Sequence, residues 1–217
     1  MESADAMRRV ISVGAVLMAA ACLPAAPPGS GTALAGTTAT DSMQLVPAGF
    51  GSLKQDDIAV RVAQFGLRVR AIPLDESVIR VLSPDSYTAL SDLLKSQTER
   101  LTELGRRTAL PRLSVWYVSF FSQEVGEARY SPLELIITNV GRDFRPIDVI
   151  GLSPGFGLQR VRQREVQSAL YVFDGQLDVN QPLVVAYETA RATTWPAILQ
   201  RIERERALVR SRAGARS

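Results

Sequence analysis

The sequence predicts a mainly β fold, an immunoglobulin-like two-sheet β-sandwich with one inserted helix and a C-terminal amphipathic helix. The first observation is residues 168–188, where two runs of β-branched and aromatic residues flank a polar connection rich in turn formers. The second is that short apolar runs separated by turn signals recur at irregular spacing along the chain. The third is size, because 217 residues, 46% of them hydrophobic, are enough for one domain with a single core.

The first strands are predicted within residues 58–73. Apolar residues alternate with polar or small ones up to Gln64, and the alternation then changes phase. A strand cannot exchange its two faces without an extra residue or a reversal, so we expect a bulge or a tight turn at Gly66. The run ends at Pro73.

The inserted helix is predicted over residues 84–104. Ser83 is a favourable N-cap, Pro84 suits the first helical position, and Gly105 is a plausible stop. An apolar stripe follows one face of this helix, with Gln97 as a polar interruption. We expect the stripe to pack on the sheet; the alternative is that it receives a partner helix.

Residues 113–121 are apolar on both faces, which predicts a central strand. Core packing is the simpler interpretation of its aromatic side chains, because they lie within one continuous strand. A carbohydrate or ligand platform is the alternative. These aromatic residues are Trp116, Tyr117, Phe120 and Phe121.

The remaining strands bring a possible binding face. Alternation over residues 133–138 and a return over 144–150 predict a hairpin, with Pro146 indicating an edge strand. The following polar segment contains the arginine row, defined as Arg160, Arg162 and Arg164. In an extended segment these arginines share one face, which could bind an anion or an acidic partner. The alternative is a solvated edge that discourages strand addition.

Residues 191–217 predict a basic amphipathic helix and tail. Seven arginines stand here against Glu203 and Glu205, so the net charge of +3 arises in this region and not in the body of the chain. Docking of an apolar stripe over residues 195–202, followed by a frayed charged tail, is the simpler interpretation. Contact with anionic lipid or an envelope polymer is the alternative.

The composition excludes several function classes. The chain has no histidine, and its only cysteine is Cys22. Zinc sites built from histidine and cysteine, Cys–His dyads and Ser–His–Asp triads therefore cannot form within it. Neither a nucleotide-binding fingerprint nor EF-hand spacing occurs in the sequence. We therefore predict no catalytic residue, no metal site and no cofactor; a hard-cation site made of carboxylates is the alternative to the absence of a metal site.

The N-terminal sequence predicts export. Arg8 and Arg9 precede an uncharged apolar run over residues 10–21, which is the pattern of a secretory signal peptide. The run is too short, and too soon followed by prolines, for a comfortable transmembrane helix.

Two processing sites compete in this region. Residues 19–22, Ala-Ala-Ala-Cys, resemble the lipobox of bacterial lipoproteins, although the strongest form of that motif has leucine where Ala19 stands. The resemblance implies lipid attachment at Cys22, and Leu23 in place of aspartate implies placement at the outer membrane. Cleavage near Ala35 would instead release a soluble secreted protein, and an uncleaved anchor is a third possibility.

The predicted organisation has four parts. A signal peptide with the lipobox cysteine occupies residues 1–22, and a flexible tether rich in Pro, Ala, Gly, Ser and Thr occupies 23–55. The sandwich follows over 56–190, and the basic helix and tail over 191–217.

These features predict a non-enzymatic module, anchored in the cell envelope, that serves protein interaction or envelope assembly. Its expected partners are an unknown envelope protein or polymer and, through the N-terminal lipid, the membrane; nucleic acid and metal ions are not expected. One alternative is a periplasmic or surface protein that binds a small ligand or glycan through Trp116, Tyr117 or the arginine row. A second is a hydrolase with two carboxylates. Its candidate acids are Glu124, Glu127, Asp143 and Asp148.

Overall fold

A computed structural model of the protein describes residues 45–123 and 125–215. The predicted signal peptide, Cys22 and residues 23–44 of the predicted tether lie outside the described residues. The described chain is mainly β and sandwich-like, with a C-terminal helix.

Eleven strands are formed within the described residues, and every pairing between them is antiparallel. The strands are β1 (Val60–Gln64), β2 (Leu67–Pro73), β3 (Leu113–Ser122), β4 (Glu127–Arg129), β5 (Leu135–Asn139), β6 (Arg142–Phe144), β7 (Asp148–Gly151), β8 (Arg160–Arg162), β9 (Val166–Asp174), β10 (Leu183–Tyr187) and β11 (Ala190–Ala192). A five-stranded sheet has the order β1-β2-β3-β9-β7, and a four-stranded sheet has the order β11-β10-β5-β6. Strands β4 and β8 pair separately as a two-stranded ribbon.

Four α-helices and three short 3₁₀ turns complete the described chain. The helices are α1 (Glu76–Ile79), α2 (Pro84–Ser96), α3 (Thr98–Thr108) and α4 (Trp195–Gly214). The 3₁₀ turns are Gln55–Asp57, Pro132–Glu134 and Phe156–Leu158. No helix in the described ranges combines the length and the apolar character needed to cross a membrane.

The core lies between the two large sheets, where aromatic side chains from both meet. Phe120 of β3 contacts Tyr187 of β10 edge to face, with ring centroids 5.7 Å apart. Trp116, also on β3, lies 6.1 Å from Trp195 at the start of α4. All four rings are buried, so β3 is the central strand that its two apolar faces predicted.

Residues 168–188 join the two sheets. Strand β9 belongs to the five-stranded sheet and β10 to the four-stranded sheet, so the connection between them crosses the sandwich. The acids of this connection form turns: Asp174 accepts from the Gln176 amide at 2.9 Å and Asp178 from the Asn180 amide at 2.8 Å. These contacts confirm the prediction that the two acids are turn formers.

The phase change at Gly66 is a tight turn. Gln64 pairs with Leu67, so β1 and β2 form a hairpin with only two residues in its loop. Both of these residues are left-handed, with φ 43° at Phe65 and 71° at Gly66, which is the signature of a type I′ turn.

The inserted helix predicted over residues 84–104 is wrong in its extent. Helix α2 begins at Pro84 as expected, but it ends at Ser96. Gln97, the polar interruption of the stripe, caps it, and α3 begins at Thr98. Gly105 lies inside α3, and the left-handed C-cap is Ala109, with φ 53°. The turn at Gln97 lets Leu101 pack independently of α2, since each helix buries its own apolar residues.

The predicted return strand over residues 144–150 is two strands in different sheets. Phe144 ends β6 at the edge of the four-stranded sheet, and Asp148 begins β7 at the edge of the five-stranded sheet. Pro146 lies between them. It has no backbone N–H, and at this position no strand pairing requires one.

The packed domain begins before residue 56. Val46 is buried, and Leu53 forms a bridge with Leu82, which follows α1. The predicted tether boundary at residue 55 is therefore placed too late, because the polar and small residues of this segment hid the few apolar side chains that dock.

Candidate binding surface

The arginine row lies on the ribbon formed by β4 and β8. Arg160 and Arg162 point to solvent, while Val161 between them is buried. Arg164 follows the strand in a left-handed turn with φ 63°. Arg160 and Arg162 therefore share one face, as predicted for an extended segment. Arg164 does not lie on that face, because the backbone turns at this residue.

The ribbon is held from beneath by the aromatic core. Tyr130, directly after β4, stacks on Phe120 with ring centroids 4.4 Å apart and donates its hydroxyl to the Phe156 carbonyl at 2.7 Å. Burial, and then the negative charge of Glu165, raise the pKa of Tyr130 to about 12. The protonated hydroxyl donates to the Phe156 carbonyl, and this bond and the stacked ring attach the base of the ribbon to the core.

A fourth arginine joins this surface from the other strand. Residue pairing places Arg129 opposite Arg160 and Glu127 opposite Arg162, and these four exposed residues define the ribbon face. Arg129 was not predicted as a site residue, because residues 122–131 contain only a three-residue strand and look like a polar loop. An alternation that short cannot be distinguished from chance.

The charge of the ribbon face is only partly compensated. Arg160 forms an ion pair with Glu127 at 3.3 Å. Within the described residues, the guanidinium groups of Arg129, Arg162 and Arg164 have no acidic partner. The face thus presents three arginines against one glutamate, and two of the arginines remain available to an external anion.

The aromatic residues of β3 divide between core and surface. Trp116 and Phe120 are fully buried and face the second sheet, as core packing predicted. Tyr117 and Phe121 lie on the opposite face of the strand and are only half-buried. Of these four aromatic residues, only Tyr117 and Phe121 are exposed enough to contact a ligand.

The candidate carboxylates are dispersed. Glu127 pairs with Arg160 in the ribbon, Asp143 accepts from Thr138 at 2.6 Å, and Asp148 pairs with Arg100 at 3.6 Å. They stand on β4, β6 and β7, which belong to three different sheets. Glu124 lies outside the described residues. The structure therefore does not bring the three described acids together as a pair.

The basic C-terminal helix is docked along its length. Trp195, Ile202 and Val209 are buried, so the contact extends well past residue 202 and the frayed tail predicted after that point is wrong. Side-chain hydrogen bonds to the domain explain the difference, since apolar periodicity alone cannot predict them. Three arginines donate to main-chain carbonyls: Arg201 to Asp57, Arg206 to Ser77 and Arg212 to Phe50.

A carboxylate is buried beneath the last turns of α4. Glu205 is 5% exposed and accepts from the Ser52 amide at 2.9 Å, the Ser52 hydroxyl at 2.8 Å and Arg212 at 2.7 Å. Burial by itself raises the pKa of Glu205, but these hydrogen bonds outweigh it and the pKa lies below its usual value. In the sequence, Glu205 is only one of two acids among the arginines of this segment, and the fold shows that it is a structural anion.

No protein-family model, curated protein or solved structure matches this chain. The chemistry of its surfaces is therefore inferred from its own residues. By its residues, the ribbon face is a cationic surface suited to carboxylate, phosphate or sulfate groups.

Proposed function

We propose that the protein is a non-enzymatic binding module, exported and anchored in the cell envelope through Cys22, whose ribbon face contacts an acidic envelope protein or polymer. One observation carries the proposal. Arg129 and Arg162 lie diagonally across two paired strands and are both exposed, and neither guanidinium group has an acidic partner among the described residues.

The spacing of these two arginines suits a polyanion. Diagonal neighbours on an antiparallel pair have Cα atoms about 7–8 Å apart, so two guanidinium groups can bind separate acidic groups of one partner. Each guanidinium offers a planar fork of donors that matches a carboxylate or phosphate. The buried underside at Val161 and Tyr130 holds the strands in place, which lowers the conformational entropy lost on binding.

The first experiment measures binding of the full chain to two immobilised polyanions, heparin and poly-L-glutamate. The double variant Arg129→Gln/Arg162→Gln should weaken binding about fivefold or more, since exposed charge pairs contribute about 0.2–1 kcal/mol each and bidentate ones more. Raising the salt concentration should reduce wild-type binding for the same reason.

A matched control separates a site from overall charge. Arg107→Gln/Arg145→Gln removes the same charge from exposed positions in α3 and the β6–β7 connection. This control should bind nearly as wild type does. An equal loss of polyanion binding in both double variants would contradict the proposal. The ribbon arginines would then serve only to discourage pairing of another strand at this edge.

The anchoring part of the proposal rests on the N-terminal sequence and has its own test. Metabolic labelling with palmitate should mark wild type and not Cys22→Ser, and the labelled protein should fractionate with the outer membrane. If the mass of the mature protein shows that the chain begins directly after Ala35, the protein is instead a soluble secreted form.

The immunoglobulin-like classification also belongs to this proposal. Two facing antiparallel sheets support it. The consecutive order β1-β2-β3 within one sheet and the separate ribbon count against it. A solved structure of a related chain with the immunoglobulin strand order would decide the question.

A further inference from the structure

The outer face of the five-stranded sheet is covered over only part of its width. Helix α3 lies on the β7 side, where Arg100 pairs with Asp148 and Gly105 lies against Leu113 of β3. Toward β1 and the hairpin end of β2 the same face is open. The open part forms a groove with a volume of about 840 Å³.

The size of the groove suits a small ligand, since binding pockets in proteins measure about 300–1,000 Å³. Its floor comes from β1, β2, β3 and β9. One end is bounded by the first turn of α2, at Ser83, Asp85 and Ser86, and by the 3₁₀ turn Gln55–Asp57.

Strand pairing places Arg68 next to the apolar part of the floor. In one row across the sheet, Ala63 on β1 is followed by Arg68, Phe121 and Val166 on the next three strands. Neighbouring strands are about 4.8 Å apart, so the Arg68 side chain starts directly beside an aromatic ring. Phe121 is half-buried and Val166 is 49% exposed, which leaves apolar surface open to solvent.

The cations of the groove are not equivalent. Arg61 and Arg70 both pair with Asp56, at 3.2 Å and 2.9 Å. Arg68 has no acidic partner in the part of the chain that the structure describes. Four cations and two acids line the groove in total: Lys54, Arg61, Arg68 and Arg70 with Asp56 and Asp85.

The geometry points to a binding site for an anionic amphiphile, a small molecule with one carboxylate or phosphate head and an apolar body. Arg68 binds the head. The apolar body lies along Tyr117, Phe121 and Val166 and covers the surface that these side chains expose. This site is on the opposite side of β3 from the buried aromatic core, and it does not depend on the ribbon face.

The test uses 8-anilinonaphthalene-1-sulfonate, a fluorescent anionic aromatic probe, with the full chain. Decanoate and decyl phosphate should displace the probe, and decanol, which has the same chain length without the charge, should compete at least tenfold more weakly. Comparing decanoate with decyl phosphate shows which head group the site prefers. Equal competition by decanoate and decanol would overturn the proposal.

Variants then locate the site. Arg68→Gln should weaken decanoate about tenfold while leaving decanol unchanged, whereas Val166→Ser should weaken both ligands. Arg107→Gln and Val140→Ser are matched controls, since they change an exposed arginine and an exposed valine away from the groove. If a control weakens binding as much as its partner variant, or if decanoate does not bind at millimolar concentration, the groove is not a ligand site.

Ligand binding in the groove can be tested separately from polyanion binding on the ribbon face. Arg129→Gln/Arg162→Gln should bind decanoate as wild type does, and Arg68→Gln should bind heparin within twofold of wild type. Loss of both activities in one of these variants would contradict the separation of the two surfaces.

Discussion

Two arginine-rich regions contact the two ends of the central strand β3, and they use arginine in opposite ways. Helix α4 packs Trp195 against Trp116 near one end, and Tyr130, at the base of the ribbon, stacks on Phe120 four residues later. In α4, Arg206 donates to the Ser77 carbonyl at 2.7 Å. On the ribbon, the arginines face solvent, and among the described residues only the Arg160 guanidinium has an acidic partner.

The difference shows that a high density of arginine does not by itself identify a binding surface. The α4 arginines donate to main-chain carbonyls of the domain, so they hold the helix against it and stabilise the fold. On the ribbon, the guanidinium groups of Arg129 and Arg162 form no hydrogen bond or ion pair with the described residues, so these side chains do not hold the domain together. The most basic stretch of the sequence is therefore the less available one for ligands.

The largest effect is expected at the start of α4. Trp195→Ala should lower the free energy of unfolding by about 3–5 kcal/mol, because it removes a fully buried ring. It also removes a 3.0 Å hydrogen bond from the indole to the Val179 carbonyl. The measurement is urea unfolding followed by circular dichroism. Leu208→Ala, on the exposed side of the same helix, should change stability by less than about 0.5 kcal/mol; a similar loss in both variants would mean that α4 does not dock as described.

The next effect concerns the buried carboxylate of α4. Glu205→Gln should lower stability by about 1.5–3 kcal/mol at neutral pH, since charged hydrogen bonds from Ser52 and Arg212 are weakened. The same urea titration measures this change, and Glu99→Gln, an exposed acid of α3, is the control.

The pH dependence of that variant sharpens the test. The pKa of Glu205 is lower in the folded protein than in the unfolded chain, so the unfolded chain binds the proton first as pH falls. Its stabilising contribution is therefore complete above the unfolded value of about 4.3 and is lost as pH falls through the folded pKa. Wild type should lose stability over this acid range more steeply than Glu205→Gln. Parallel pH profiles would contradict the assignment.

A matched pair of arginine substitutions compares the two regions directly. Arg206→Gln should cost about 1–2 kcal/mol, because the Ser77 carbonyl and Asn180 lose a charged donor. Arg162→Gln should change stability by less than about 0.5 kcal/mol and act on polyanion binding instead. Thermal unfolding and heparin affinity, measured on both variants, should show opposite patterns. Equal destabilisation of the two variants would remove the contrast.

The smallest effect is expected at the β1–β2 hairpin, which lies toward the ribbon end. Phe65→Asn should raise stability by about 1 kcal/mol, because the left-handed conformation at φ 43° suits asparagine better than phenylalanine. Phe65 is 85% exposed, so little packing is lost. Chemical denaturation is the readout, with Val125→Asn as the control for loss of an exposed apolar side chain; a loss of stability in Phe65→Asn would show that the ring has contacts that stabilise the turn.

Local chemistry explains where the sequence predictions succeeded. The phase change at Gly66 is a backbone reversal, the start of α2 follows from Pro84, and the apolar faces of β3 require burial. Predictions failed where contacts between distant segments decide the outcome. Residues 144–150 divide between two sheets, and α2 and α3 separate at Gln97, because each half packs on different neighbours.

The same distinction applies to the candidate sites. Sequence alone excluded histidine chemistry and located Arg160 and Arg162, since composition and spacing are properties of the chain itself. Only the tertiary structure placed Arg129 beside them, buried Glu205, and joined Arg68 to Phe121 across two strands. Pairing between strands that are far apart in the sequence decides which side chains become neighbours. The apolar pattern of one strand determines which face is buried, but it does not identify the strand that will pair with it.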